Sequence, residues 1–227
     1  MGSLLAACVF FVGIHVVISG SPLRGAIVVR IGERAYLGLF SLLSVGAMVW
    51  LVYAYAHARG VWLWNPPAAL RWAAPGLVLI AFVFAVVGLT TPSPTATGGE
   101  SRLELDEPAQ GVLRITRHPF LWGVALWAVT HLALNGDSAS VVLFGSLLVL
   151  ALGGPLLIDA KRKRAFGPKW ERFAAMTSNV PFAAILSGRN ALQFGEIGAW
   201  RVVAAFGAWA AMLAAHPWLF GVSALPG

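Results

Sequence analysis

The chain has 227 residues, of which 59% are apolar and only 11% are charged, and its mean hydropathy is +0.79. A soluble domain of this length carries about a quarter charged residues, so this composition excludes a water-soluble globule. The formal charge of +7 would suggest nucleic-acid binding in a soluble protein, but no recognition motif accompanies it here. Membrane proteins concentrate Lys and Arg in their cytoplasmic loops, which accounts for the charge without nucleic acid.

Six apolar stretches recur along the chain, and each is long enough, or nearly so, to cross the hydrocarbon of a bilayer. They predict an all-α fold, a polytopic helical membrane domain over residues 1–227 with about six transmembrane helices and a cytoplasmic interfacial amphipathic helix. The fourth stretch is short for a span, and we expect residues before it to complete the helix. The six stretches are Ser3–Gly20, Tyr36–Ala56, Ala68–Leu89, Phe120–Asn135, Ser138–Ile158 and Trp200–Val222.

The basic residues between these stretches predict the orientation of the chain. Fourteen of the 16 Lys and Arg lie in or beside the first, third and fifth connections, and only Arg59 and Arg71 fall on the other side. Because cytoplasmic loops carry the excess of Lys and Arg, these three connections should be cytoplasmic. Both termini are then periplasmic, in a bacterial inner membrane, and the expected partner is the lipid bilayer.

Two of the cytoplasmic segments have a distinctive composition. Residues 90–99 (TTPSPTATGG) are rich in Pro, Gly, Ser and Thr, so we expect a mobile linker there. The fifth connection begins with KRKR and then places Phe166, Trp170 and Phe173 at positions i, i+4 and i+7. All three share one helical face, which is typical of an amphipathic helix lying in the headgroup plane with its apolar face towards lipid.

Histidines are the main candidates for chemistry inside the membrane, where an ionisable side chain is costly and often functional. His15 lies in the first stretch and His131 in the fourth, while His118 stands at the mouth of the fourth within RHPFLWG. His57 and His216 lie at or near helix ends, where water is accessible, and we expect them to be structural.

A buried imidazole needs a hydrogen-bond partner or a metal for its ring nitrogens. Haem iron is one such metal, and helical bundles build haem sites from histidines on facing helices. The alternative is a hydroxyl on a neighbouring helix. The available hydroxyls are Thr130, Ser19, Ser41 and Ser44.

Three segments of the chain resemble one family of bacterial membrane proteins. They read HVVISGSPLRGAIVVRIGERAYLGLFSLLS, ITRHPFLWGVALWAVTHLALNGD and FGPKWERFAAMTSNVPF, in that order. Together they resemble the NnrU family, which is associated with denitrification and nitric-oxide metabolism and is similar to the zeta-carotene isomerases of plants and cyanobacteria. Those isomerases use haem b to isomerise a cis double bond of a lipid-soluble polyene. The resemblance therefore implies haem b, with His15 and His131 as its axial ligands.

The positions of these histidines constrain such a site. At about 1.5 Å of rise per residue, His15 lies about 6 Å inward of mid-membrane and His131 about 7 Å outward. One iron bound by both would therefore require a strongly tilted haem, and His118 is the alternative ligand. The haem propionates need cationic side chains beside them, and the arginines of the inner side could supply these. These arginines are Arg24, Arg30, Arg114 and Arg117.

RHPFLWG and the later FGPKWERFAAMTSNVP also resemble the isoprenylcysteine carboxyl methyltransferases and phospholipid methyltransferases, which bind S-adenosylmethionine. In that reading Arg117 and His118 would meet a carboxylate of the cofactor. Those enzymes carry a Glu-Glu pair before the FG element, whereas this chain reads DAKRKRAFG with Asp159 as its only acid. A further alternative is a non-enzymatic haem sensor or an accessory subunit of a respiratory complex.

Overall fold

The computed structural model describes residues 1–225, and within that range the chain forms helices and one isolated β-bridge but no strand. The predicted all-α fold is confirmed. We number the α-helices in chain order and give their bounds here. They are α1 (Gly2–Gly13), α2 (Leu23–Ile31), α3 (Glu33–Ala56), α4 (Ala68–Thr90), α5 (Pro119–Leu134), α6 (Ser138–Phe166), α7 (Pro168–Met176), α8 (Ala183–Leu186) and α9 (Ala199–Phe220).

The six predicted apolar stretches all form helices, so the chain fits a multi-pass membrane protein. Five of them are long and apolar enough to cross a bilayer, and α5 is a shorter apolar helix of 16 residues. The expectation that preceding residues lengthen α5 is wrong, because the helix begins at Pro119, which suits the first helical position. At about 1.5 Å per residue α5 is about 24 Å long, somewhat less than the hydrocarbon thickness.

The long helices pack side by side in the order α9, α4, α5, α6, α1 and α3. The closest approach is between α4 and α5, where glycines remove the side chains from the interface. A Cβ on Gly123 would lie 2.7 Å from the carbonyl oxygen of Ala81, and one on Gly88 would lie 2.6 Å from the backbone nitrogen of Phe120. Small residues let backbones of membrane helices approach in this way, and the close packing holds α5 firmly against α4.

The helix ends that we predict to be outer are joined by short, tightly bonded connections. Asp137 caps α6 by accepting hydrogen bonds from the backbone nitrogens of Ala139 (2.9 Å) and Ser140 (3.0 Å). It also forms an isolated bridge with Trp62 of the connection between α3 and α4. The hydroxyl of Ser140 in turn lies 2.8 Å from that of Tyr55 on α3. The outer connections therefore link α3, α4, α5 and α6 to one another.

The inner ends carry a folded cap built from residues 91–118 and 159–198. Residues 91–99, nine of the ten residues in which we expected a mobile linker, belong to this cap, and Thr90 ends α4. Ser93 and Pro94 are buried, and Arg162 of α6 donates to the carbonyl oxygens of Thr95 (3.4 Å) and Ala96 (2.7 Å). Proline and glycine here shape a packed turn, because backbone groups without a helical partner are bonded by a side chain instead.

An amphipathic helix forms as α7, which holds Trp170 and Phe173, but Phe166 is the last residue of α6 and Gly167 separates it from α7. The apolar face of α7 does not point to lipid. Trp170 and Phe173 are 2% and 0% exposed because they pack against Leu103, Ala109 and Leu113 of the cap. The lipid-facing prediction is therefore wrong. Periodicity reveals that a helix has an apolar face, and the tertiary fold decides what covers it.

Candidate functional site

His15 lies in a turn where helix geometry changes. After Gly13, α1 continues as a π-helical turn, Ile14–Ser19, which ends where the backbone nitrogen of Gly20 donates to the carbonyl oxygen of His15 over 2.9 Å. The turn contains a β-branched run, Val16–Ile18, which crowds an ordinary α-helix. Single π turns are often found at functional sites, so the local geometry supports a role for His15.

The imidazole of His15 is held in one orientation and one tautomer. Its Nδ1 lies 2.7 Å from the carbonyl oxygen of Phe11, and its ring packs against Phe11 and edge-on against Phe40 of α3. A carbonyl oxygen only accepts, so Nδ1 must carry the proton. In the neutral ring, Nε2 then presents a lone pair, which is the arrangement a metal ligand requires.

His15 is part of the wall of a cavity between α1, α3, α5 and α6. The cavity has a volume of about 280 Å³, at the lower end of small-molecule sites, which are about 300–1,000 Å³. Its walls are mostly apolar, including Phe11, Leu121 and Leu147, and two of its lining side chains, Met48 and Phe120, are also exposed on the outside of the bundle. These two side chains therefore lie both on the cavity wall and on the outer surface of the bundle.

Two buried hydroxyls on α3, the helix that contributes Met48 to the cavity, have no hydrogen-bond partner in the described part of the chain. They are Tyr36 Oη, whose ring stacks on Phe40, and Ser44 Oγ. Neither bonds His15, although Ser44 was one of the hydroxyls that the sequence offered to it. A buried polar group without a partner is costly, which is consistent with an occupant or water that supplies one.

His131 lies in the outer half of α5 and does not line the His15 cavity. Its Nδ1 is 2.9 Å from the carbonyl oxygen of Trp127, and its ring packs on Trp127 and Phe144. The tautomer is therefore the same as in His15, and Nε2 is again the nitrogen with a lone pair. Val124, a lining residue of the cavity, is seven positions earlier on α5, or about 10 Å along the helix axis. The structure therefore keeps the two histidines at different levels, as their positions in the sequence predict.

His118 is hydrogen-bonded to Asp159 within the protein. Its side chain is 1% exposed, and Nε2 lies 2.7 Å from Oδ1 of Asp159 on α6. Arg117 donates to Oδ2 of the same carboxylate through Nε (2.9 Å) and Nη2. Asp159, the lone acid of DAKRKRAFG, thus joins the start of α5 to the end of α6. It occupies the two side chains that a methyltransferase would use for its cofactor.

Arg114 is also engaged within the protein. It is buried in the cap, where it donates to both carboxylate oxygens of Glu196 at 2.8 Å, to Asn190 at 2.8 Å and to Glu107 at 3.1 Å. This guanidinium holds the pKa of Glu196 below its usual range. Arg24 pairs with Glu33, and Arg30 is exposed on α2. The structure therefore does not gather these four arginines around one site.

The remaining histidines lie at the outer surface. His57 is exposed and His216 is half-buried, and each bonds a backbone carbonyl oxygen, of Tyr53 and Val222 respectively, at 2.8 Å. In the described residues there is no group of three or more His, Cys, Asp or Glu side chains placed to hold a metal ion. A metal centre built from protein ligands alone is therefore not formed in that part of the chain, whereas a haem needs only one or two axial ligands.

The sequence of the chain matches known proteins. The family model described as NnrU protein matches residues 3–224. The chain belongs to the NnrU family. Two curated relatives, the chloroplastic 15-cis-zeta-carotene isomerases of Zea mays and Arabidopsis thaliana, are each 30% identical to this family member over 169 residues. The match covers 71% of this chain and 45% of each relative, so the chain spans about half their length. No solved structure matches.

Two residues of the site were not singled out in the sequence. Lys161 lines the inner end of the cavity but was counted only as a topological charge. Its position three residues after the end of the predicted fifth span was the available signal, since residues i and i+3 share a helical face. Asp159 has an equivalent signal, being the one acid beside a basic run, but only the fold brings it to Arg117 and His118.

Proposed function

We propose that this chain is a membrane-embedded haem b protein that isomerises a cis double bond of a lipid-soluble polyene. The proposal rests on the placement of His15. Its imidazole lies on the wall of an apolar cavity within the bundle, and its Nε2 has a free lone pair. The relationship to the 15-cis-zeta-carotene isomerases supplies the class of reaction and substrate.

The residues around the cavity suit such a group. His15 offers an axial nitrogen, the walls are apolar, and the inner end carries the Lys161 ammonium, which is a suitable neighbour for a propionate. The sequence has no C-x-x-C-H segment, so haem would be bound without a covalent link. Bound haem would supply a redox-active iron beside the substrate.

The chain's own residues would position the substrate. Met48 and Phe120 line the cavity and are exposed on the outside of the bundle, so a polyene dissolved in lipid would enter beside them. Leu121 and Leu147 offer apolar contacts, and burial of the polyene there excludes water from the reacting bond. His131 would be the second ligand of the haem iron that the family resemblance implies, although it stands outside the cavity wall.

Purification after haem-replete expression tests the proposal. We expect a Soret band from non-covalent haem b, and conversion of 15-cis-zeta-carotene in proteoliposomes, followed by chromatography of the isomers. His15→Ala should remove most of the haem, while His131→Ala should change the spin state. His57→Ala and His216→Ala are matched controls at the outer surface, and they should leave the spectrum unchanged.

Other outcomes would assign other functions. A colourless protein that binds S-adenosylmethionine would favour a methyltransferase, and a haem spectrum without carotenoid conversion would favour a sensor or an accessory subunit. The proposed link to nitric-oxide metabolism is tested on the same preparation, by a shift of the Soret band when nitric oxide is added. If His118→Ala abolished the haem while His131→Ala did not, His118 would replace His131 as ligand.

A further inference from the structure

Lys161 is the cation at the inner end of the His15 cavity. It is half-buried on α6, and in the part of the chain that the structure describes it forms neither an ion pair nor a side-chain hydrogen bond. Its cationic neighbours differ from it in this respect. Arg24 is paired with Glu33, and Arg162 is paired with Glu100 at 2.7 Å.

A half-buried ammonium beside apolar walls is stabilised when an anion lies next to it. The cavity wall supplies no carboxylate, and its other polar side chains are His15 and Ser19. An occupant that complements the cavity therefore has an apolar body and an anionic end that reaches Lys161. A porphyrin with propionate groups has such an apolar body and such anionic ends.

We infer that Lys161 binds a haem propionate and is the residue that orients the porphyrin in the cavity. The inference rests on the proposed function, and it replaces the arginines suggested by the sequence. Arg114 and Arg117 are held by Glu196 and Asp159, so their charges are already paired within the protein. Lys161 has all three of its N–H donors available.

Direct titration of haem into apo-protein in detergent tests this, with the Soret band as the measurement. The probes are haem b and its dimethyl ester, which has the same iron and ring but no propionate charge. We expect the wild type to bind haem b about tenfold more tightly than the ester, the difference made by one charge-assisted hydrogen bond. Lys161→Met should lower the affinity for haem b by about tenfold, leave that for the ester unchanged, and keep the same axial spectrum.

Two further variants isolate the role of the charge. Lys161→Arg should retain the preference for haem b, because a cation remains at the same place. Lys163→Met should bind both probes like the wild type, because Lys163 is exposed and pairs with Glu171 instead of lining the cavity.

The outcomes separate this inference from the proposed function. If Lys161→Met weakened both probes equally, or neither, Lys161 would have a structural role only and the inference would be overturned. A wild type that bound both probes with equal affinity would overturn the inference while haem binding stood. A wild type that took up neither probe would overturn both.

Discussion

Arg114 is the most heavily bonded side chain of the inner cap. Its guanidinium joins Gly111–Arg114, a short 3₁₀ turn, to Glu196 and Asn190 more than 70 positions later. The side chain is 6% exposed, and the cost of burying its charge is offset mainly by the carboxylate of Glu196, which accepts two of its hydrogen bonds. The same carboxylate accepts from the backbone nitrogen of Gly111 at 2.7 Å. One ion pair therefore fixes two separate segments of the cap.

Replacing Arg114 with Met should lower the free energy of unfolding by about 3 kcal/mol, the cost of breaking a buried ion pair. Thermal unfolding in detergent, followed by tryptophan fluorescence, measures the change. Arg164→Met is the control, since Arg164 is an exposed cation on the inner side of α6. Equal melting temperatures for the Arg114→Met variant and the control would contradict this account of the cap.

The same pair predicts a dependence on pH. The hydrogen bond from Arg114 lowers the pKa of Glu196 below its usual value of 4.5. Such a carboxylate stabilises the fold fully above its unfolded pKa, and this contribution is lost as the pH falls through the lowered folded pKa. We expect Glu196→Gln to be less stable than the wild type at about pH 7, with a smaller difference below about pH 4. If the difference in stability between Glu196→Gln and the wild type grew as the pH fell, the pKa of Glu196 would be raised by folding instead of lowered, and this prediction would be wrong.

At the scale of elements, the sequence predicted which segments form helices more reliably than what those helices contact. Long apolar runs identify α3, α4, α6 and α9, because length and hydropathy are local properties. The surroundings of α7 depend on distant residues, such as Leu103, that no local pattern reveals. The His15 cavity is similar: the sequence indicated the imidazole, but only the packed helices place Lys161 and Met48 beside it.

The packed state of residues 91–99 predicts their resistance to proteolysis. A non-specific protease applied from the inner side should cut first in residues 191–195, which are mostly exposed, and residues 91–99 should survive longer. Arg162→Met removes the donors to Thr95 and Ala96, so it should make residues 91–99 the earlier target. Arg164→Met is again the control. If the wild type were cut first in residues 91–99, this result would contradict the packed state and support the mobile linker that their composition suggests.

At the scale of the whole molecule, charge and folded mass lie on the same side. The inner cap contains most of the basic residues, and several of them are bonded within it, including Arg114, Arg117 and Arg162. The outer side has only short connections with few charges. The basic bias therefore has two roles, since it favours one orientation in the membrane and it supplies the ion pairs of the cap.

Reporter fusions test the orientation. A reporter inserted at Asp137, or fused after Gly227, which lies outside the described residues, should behave as periplasmic. An insertion after Gly188, in the exposed part of the cap, should behave as cytoplasmic. If the reporter at the C-terminus were cytoplasmic while that at Asp137 was periplasmic, an odd number of crossings would separate them, and either α6 or α9 would not span.

The long-range ion pairs of the cap constrain the order in which the protein can be assembled during synthesis. Arg114 emerges from the ribosome 82 residues before Glu196, and Glu100 emerges 62 residues before Arg162. Helices α4 and α5 can enter the bilayer before either pair has formed. A nascent chain or a truncated product that ends before Glu196 therefore lacks the main ion pair of Arg114, and its cap is incomplete. Such a chain is distinguishable from the finished protein by the proteases that remove incomplete membrane proteins.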